Sequence, residues 1–206
     1  DYIDIAIIDL PHISNFTDFD PLKIEPDVHL RVVRTAKDLG KPDALILPGS
    51  KNVIGDMKYL RDSGLDRQTV ALAREGLTEV IGVCAGFQIL GKQLSDPYGI
   101  ESEYQILEGL GLLPVSTVLE RKKTLTCVNA RHLESGHMVK GYEIHHGKSD
   151  GMHLSPIIIR EDGEIIGVGL KETPLWGTYL HGIFDADEFR RWFIDRLRIR
   201  KGLSPL

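Results

Sequence analysis

The segment Ile3-Asp4-Ile5-Ala6-Ile7-Ile8-Asp9-Leu10, closed by Pro11, is β-branched and apolar at alternate and at intervening positions. A strand with one solvated face alternates in polarity, whereas a strand of a parallel sheet covered on both sides by helices does not. Two further runs, Val28–Val33 and Ala44–Leu47 ahead of Pro48-Gly49-Ser50, read as strands of the same sheet. Leu60, Leu65, Val70, Ala71 and Leu72 then take helical spacing across a charged segment that runs out at Gly76. Val80-Ile81-Gly82-Val83 follows as a strand and residues 85–94 as a helix. Strand, helix, strand, helix in this order implies right-handed crossovers and a mainly parallel sheet.

From Leu112 onward the period falls toward two. Residues 113–119, 125–130, 157–160 and 165–170 read as short strands separated by Gly, Asp and Ser clusters. Trp176-Gly177-Thr178-Tyr179-Leu180-His181-Gly182 reads as a last strand and its tip. Residues 185–198 read as an amphipathic helix with Phe189, Trp192, Phe193 and Leu197 on one face and Asp185 as its cap. The expected architecture is α/β: a three-layer, flavodoxin-like, mainly parallel sheet with helices on both faces and extra strands in the second half. With no internal repeat and no linker, residues 1–206 read as one domain. The chain opens on Asp1 rather than Met, which reads as a processed chain or an excised part of something longer.

A net charge of −5, with no basic run longer than one such as Arg121-Lys122-Lys123, excludes a dedicated nucleic-acid surface. No apolar stretch has the length to span a bilayer and the first residues lack a basic leader, so the expectation is a cytoplasmic protein without a membrane partner. Two cysteines, Cys84 and Cys127, are too few for a disulfide scaffold and leave room for a working thiol.

Gly82-Val83-Cys84-Ala85-Gly86-Phe87-Gln88 places a cysteine where an apolar strand turns directly into a helix. The two glycines permit a cramped turn, and the helix start supplies unpaired N–H groups and partial positive charge, which favour a thiolate nucleophile. The N–H of Ala85 is placed to bind an oxyanion. The competing reading is a buried structural cysteine beside a packing glycine, which is the better one for Cys127 in its strand. A thiolate needs a proton shuttle. His181 ends an apolar strand, ahead of a glycine, and so projects from the edge where open α/β sheets bind ligands; a hydrogen-bonded core histidine is its alternative. His145 and His146 form a second polar cluster, between Gly141 and Gly147, suited to a structural or substrate-shaping role. His12, His29, His137 and His153 read as solvated. Leu47-Pro48-Gly49-Ser50-Lys51-Asn52 is either the second half of an oxyanion hole or a phosphate-binding turn, and no Gly-x-x-x-x-Gly-Lys-Ser/Thr sequence supports the latter. Neither the cysteines nor the adjacent His145-His146 have metal-ligand spacing.

Together these segments resemble the class I (triad-type) glutamine amidotransferases, in which Gly-x-Cys-x-Gly-x-Gln is the glutaminase elbow, and within them the branch that amidates corrinoid precursors. The resemblance rests on residues 5–22, Leu47 to Asn52, Gly141-Tyr142-Glu143-Ile144-His145 and Gly177 to Phe184, spread over nearly the whole chain. It implies that Cys84 attacks the side-chain amide of L-glutamine to give a γ-glutamyl thioester and ammonia, with His181 moving the proton. It implies that Gly49, Ser50 and Ala85 stabilise the oxyanion through the backbone and that Gln88 helps hold glutamine. It further implies an N-terminal synthetase domain that binds the corrinoid and amidates its carboxylates with ATP and Mg²⁺, leaving this domain without a cofactor of its own.

One departure stands out. The class pattern is His-x-Glu, but Gly182 and Ile183 follow His181. Orientation of the imidazole is therefore expected from Glu143, with His145 nearby, from a backbone carbonyl, or from the synthetase domain. His132-Leu133-Glu134 fits His-x-Glu formally but lies in a charged segment. Two other readings stay open: a glutaminase subunit that amidates a cell-wall lipid precursor, and a non-catalytic flavodoxin-like module in which Cys84 is a redox-sensing thiol.

Overall fold

A computed structural model describes residues 1–101, 103 and 106–206. Its strands are β1 (Ile3–Ile8), β2 (Val28–Val33), β3 (Ala44–Leu47), β4 (Glu79–Val83), β5 (Gln93–Ser95), β6 (Ile106–Glu108), β7 (Ser116–His132), β8 (Met138–Asp150), β9 (Pro156–Arg160), β10 (Ile165–Gly169) and β11 (Leu175–Thr178). Its helices are α1 (Asp20–Lys23), α2 (Ala36–Leu39), α3 (Val53–Ser63), α4 (Leu65–Glu75), α5 (Ala85–Leu90) and α6 (Asp187–Arg200). The strands form one sheet in the order β2-β1-β3-β4-β11-β10-β9-β7-β5-β6, with β8 paired to β7. From β2 to β11 every neighbouring pair is parallel; β11, β10, β9, β7 and β8 continue it antiparallel. The parallel part has the doubly wound order β2-β1-β3-β4, in which the strand order, not the strand direction, reverses beside β1, and its carboxyl edge is where such sheets bind ligands.

The apolar runs divide cleanly between two cores, because successive strand residues face opposite sides. Ala6 and Ile8 of β1, Leu45 and Leu47 of β3 and Val80 of β4 pack with Leu60, Leu72, Phe87 and Leu90 from α3, α4 and α5. Ile5 and Ile7, Ala44 and Ile46, and Ile81 and Val83 pack with Phe189, Phe193 and Leu197 of α6. Helices thus cover both faces, as the unbroken apolar strands require. Burial of each such Val, Leu, Ile or Phe side chain contributes roughly 1.5–3 kcal/mol.

Several expected elements differ in extent. The helical segment ending at Gly76 is two helices, broken at Gly64, whose φ of +75° ends α3 with its N–H on Arg61 O. The inward face of α4 is Leu65, Thr69, Leu72 and Ala73 rather than Val70 and Ala71. The helix expected over 85–94 stops at Leu90. Gly91 there takes extended backbone (φ −69°, ψ −177°), with room for no Cβ beside Val115 O, and the chain goes on into β5. Strands expected over 113–119 and 125–130 are one strand, β7, whose register shifts between Leu119 and Thr124. Asp185 does not cap α6: Ala186 holds that position with no side-chain bond. β8 lies where the sequence reads as a polar cluster bounded by glycines. Gly141 and Gly147 are not breakers but close-approach points, since a Cβ at Gly141 would lie 1.9 Å from His181 O and one at Gly147 2.1 Å from Gln88 Nε2.

Candidate active site

Four chain segments leave the carboxyl edge of the parallel sheet side by side: residue 84 after β4, Gly49 and Ser50 after β3, residues 9–19 after β1 and His181 after β11. Cys84 sits at the sharpest of these turns, with φ +51° and ψ −106°, outside the region L-residues ordinarily occupy. Its N–H donates to Thr178 O at 2.8 Å, and Gly86 N–H donates to Pro48 O at 3.1 Å, so neighbouring loops hold the turn on both sides. Its side chain is almost enclosed but lines a cleft of ≈ 270 Å³, with Sγ 3.6 Å from Ile144 O. The N–H of Ala85 belongs to the first turn of α5, where no intrahelical acceptor exists.

Gly86 allows this geometry. An added Cβ would fall 1.9 Å from Leu47 O. Alanine ordinarily gains about 1 kcal/mol over glycine inside a helix, but overlap with a backbone oxygen outweighs that. Gly86→Ala is therefore expected to lower stability, by on the order of 3 kcal/mol, read as a lower urea midpoint; an unchanged midpoint would show that the turn does not need this contact.

His181 is 1% exposed. Its backbone bonds reciprocally to Tyr142 of β8 (2.9 and 3.2 Å), and its ring stacks on that of Tyr142 at 5.2 Å. Nδ1 lies 2.6 Å from Asp18 Oδ2, and Asn15 Nδ2 stands 3.3 Å from Nδ1 and 3.5 Å from Nε2. Burial alone pushes the imidazole down, but donation of the Nδ1 proton to the Asp18 carboxylate, with Cys84 and the charges of both groups nearby, outweighs it and pushes the imidazole up to about 10. Gly49 packs on the same ring: a Cβ there would stand 3.0 Å from His181 Cε1.

The carboxylate on His181 is thus Asp18, in the 3-10 turn Phe16–Phe19, and not Glu143. Glu143 is buried but bound elsewhere, to His145 Nε2 at 3.0 Å and Arg160 Nη1 at 2.9 Å. Burial works against its charge, yet these two partners hold its carboxyl below the usual range. The sequence clue was present in Asn15-Phe16-Thr17-Asp18-Phe19: an acid between two aromatics, in the loop following a strand buried on both faces.

The cleft also brings in Ser50, Gln88 and His145. Gln88 Nε2 reaches Tyr179 Oη at 3.4 Å, and that hydroxyl lies 2.6 Å from Ser149 Oγ. Burial, partly relieved by hydrogen bonds from Ser149 and Gln88, pushes Tyr179 up to about 12. His145 stacks on Tyr179 at 3.8 Å, and its Nδ1 lies 2.7 Å from Gly147 O. His146 Nδ1 lies 3.0 Å from Glu120 O. His132 stands apart, with Phe189 and Trp192 each 5.0 Å from its ring; burial, with Arg196 and His137 nearby, pushes it down to about 4. Glu134 pairs with Arg196, so His132-Leu133-Glu134 takes no part in the cleft. Among the described residues, no group of three or more His, Cys, Asp or Glu is arranged to hold a metal ion, and no helix is long and apolar enough to cross a membrane.

A thiol at a strained elbow, an imidazole paired to a buried carboxylate, and backbone N–H groups at the same edge form a nucleophile, proton shuttle and anion-binding set suited to acyl transfer. Residues 4–189 match the CobB/CobQ-like glutamine amidotransferase domain family. The chain is 50% identical over 205 residues to the adenosylcobalamin biosynthesis bifunctional protein CobDQ of Leptospira interrogans, covering 99% of this chain and 24% of that protein. It is 42% identical over 240 residues to the cobyric acid synthase of Nitratidesulfovibrio vulgaris, covering 99% of this chain and 44% of that protein. The chain therefore spans less than half the length of these relatives. A solved glutamine amidotransferase superposes with a TM-score of 0.68 at 17% identity, over 94% of this chain and 97% of that one, which is a likeness of fold.

Proposed function

The chain belongs to the CobB/CobQ-like glutamine amidotransferase domain family, and from that premise we propose that it is the glutaminase part of a cobyric acid synthase. The observation that carries the reading is the buried His181–Asp18 pair beside Cys84 at the elbow. In this reading the Cys84 thiolate attacks the γ-carbonyl carbon of glutamine. The tetrahedral oxyanion is held by backbone N–H groups of Gly49, Ser50 and Ala85. The His181 imidazolium gives its proton to the departing nitrogen, the C–N bond breaks, and ammonia leaves behind a γ-glutamyl thioester. Water then loses a proton to His181 and attacks the same carbon. The C–S bond breaks, and glutamate leaves with Cys84 restored as thiolate and His181 as imidazolium. Gln88, fixed by Tyr179, borders the glutamine side chain.

Ammonia goes on to a synthetase domain, where ATP and Mg²⁺ activate corrinoid carboxylates for amidation. The greater length of the matched relatives and their names support this partner and this acceptor over a cell-wall lipid precursor. Two free cysteines accord with a reducing, cytoplasmic setting.

A diazoketone analogue of glutamine tests the reading, with mass spectrometry to locate the adduct. Labelling is expected at Cys84 alone and is expected to be suppressed by glutamine, with the exposed Cys127 as the internal control for general thiol reactivity. Equal labelling of both thiols without protection by glutamine would favour the redox-sensor reading and end this one.

A further inference from the structure

Asp56 lies in the first turn of α3, outside the triad, and is fully buried. A buried carboxylate is costly unless its oxygens are bound, and here both are. Oδ2 accepts from the Ser50 hydroxyl at 2.5 Å, while Oδ1 accepts from the His12 backbone N–H at 3.2 Å and lies 2.8 Å from His12 Nδ1. Ser50 Oγ in turn accepts the N–H of Asn52 at 2.9 Å. The helix does not need this carboxylate at its start, because Asn52 Oδ1 already caps it by accepting from Gly55 N–H at 2.8 Å.

The two segments gripped by Asp56 carry different parts of the site. Ser50 and Gly49 form the turn after β3. His12 opens the loop that carries Asn15 and Asp18. Two backbone bonds, from Ser14 N–H to Gly49 O and from Lys51 N–H to His12 O, both 2.9 Å, join the same segments edge to edge.

We propose that Asp56 is a positioning residue for glutamine hydrolysis: its buried side chain fixes the Gly49-Ser50 turn against the Asp18-bearing loop, keeping the oxyanion donors in register with the His181–Asp18 pair around Cys84. The inference rests on the assignment of Gly49 and Ser50 as oxyanion donors in the function proposed above. Such donors act only within about 2.7–3.1 Å of the developing charge, and a misplacement of about 1 Å can cost ~10²-fold in rate. Asparagine at position 56 keeps the shape of the side chain but replaces one acceptor by a donor, so it cannot accept from Ser50 and His12 together.

In the complete enzyme, Asp56→Asn is expected to lower kcat for glutamine hydrolysis about 10–100-fold with KM within ~3-fold of wild type, while ammonia-supported amidation stays within ~2-fold. Ser50→Ala, which keeps the backbone N–H and loses only the hydroxyl link, is expected to lower kcat about 5–10-fold by the same route, and it decides the matter if the first variant does not fold. Wild-type kcat in both variants, even with a lower Tm, would overturn the inference, and so would a rise in KM alone. A wild-type enzyme that neither hydrolyses glutamine nor takes the diazoketone at Cys84 would instead overturn the proposed function, so the two failures are distinguishable.

Discussion

Cys84→Ala is expected to abolish glutamine-dependent amidation by the complete enzyme, a loss on the order of 10⁵-fold or more, while amidation from added ammonia stays at the wild-type rate. The size of the effect follows from what is removed. Without sulfur no thioester forms, and what remains is binding and oxyanion stabilisation without a nucleophile. The selectivity follows from the proposed division of labour, in which Cys84, in its cleft, serves glutamine hydrolysis alone and amidation from free ammonia bypasses it. The measurement is a paired assay of amidated product, with glutamine and with ammonium as nitrogen source. Equal loss in both would mean that the variant had damaged the enzyme as a whole, or that the thiol acts in the synthetase reaction, and either would contradict the proposal.

Asp18→Asn is expected to have the next largest effect, on the order of 10²–10⁴-fold in kcat for glutamine hydrolysis, because the amide no longer fixes the imidazole tautomer or stabilises its cation. The pH dependence gives the signature. In the folded protein His181 is raised from its ordinary 6.5 to about 10, burial opposing and Asp18 foremost among the groups favouring the cation. A histidine raised on folding contributes stability that is fully present below about 6.5 and is lost as pH climbs through about 10. The stability advantage of wild type over Asp18→Asn is therefore expected to be large near neutrality and to shrink steadily toward pH 10. In the variant, burial is no longer offset by a carboxylate, so the alkaline limb of the residual rate should move to lower pH. Urea unfolding at several pH values, with pH–rate profiles of both proteins, checks both statements. Parallel profiles with an unchanged alkaline limb would mean that another group orients the ring.

The layered sheet was legible because its strands carry the signature of burial on both faces. Ile3 to Ile8, Ala44 to Leu47 and the strand into Cys84 cannot be satisfied by one covered side, and the two cores divide their residues as strand alternation requires. The tight turn at Cys84 was legible because an apolar strand there runs directly into a helix with Gly82 and Gly86 on either side. β8 was hidden because its glycines resemble breakers; that they are contact points with His181 O and Gln88 Nε2 is a fact of tertiary packing. Asp18 was harder to read because its local mark, an acid between Phe16 and Phe19, does not say which side chain it meets. Only the approach of the loop after β1 to the end of β11 selects it. Glu143 was the nearer choice along the chain, but it faces His145 and Arg160.

The carboxylate and imidazole that meet at 2.6 Å are separated by 163 residues of chain. Joining such distant segments is slow and entropically unfavourable until the strands between them have paired. Local helices and the first parallel strands can form early, yet no partly assembled chain holds the triad. During refolding, the return of glutamine hydrolysis should therefore trail the return of helical signal, and the first turnover marks the moment when the loop carrying Asp18 and the end of β11 have found each other.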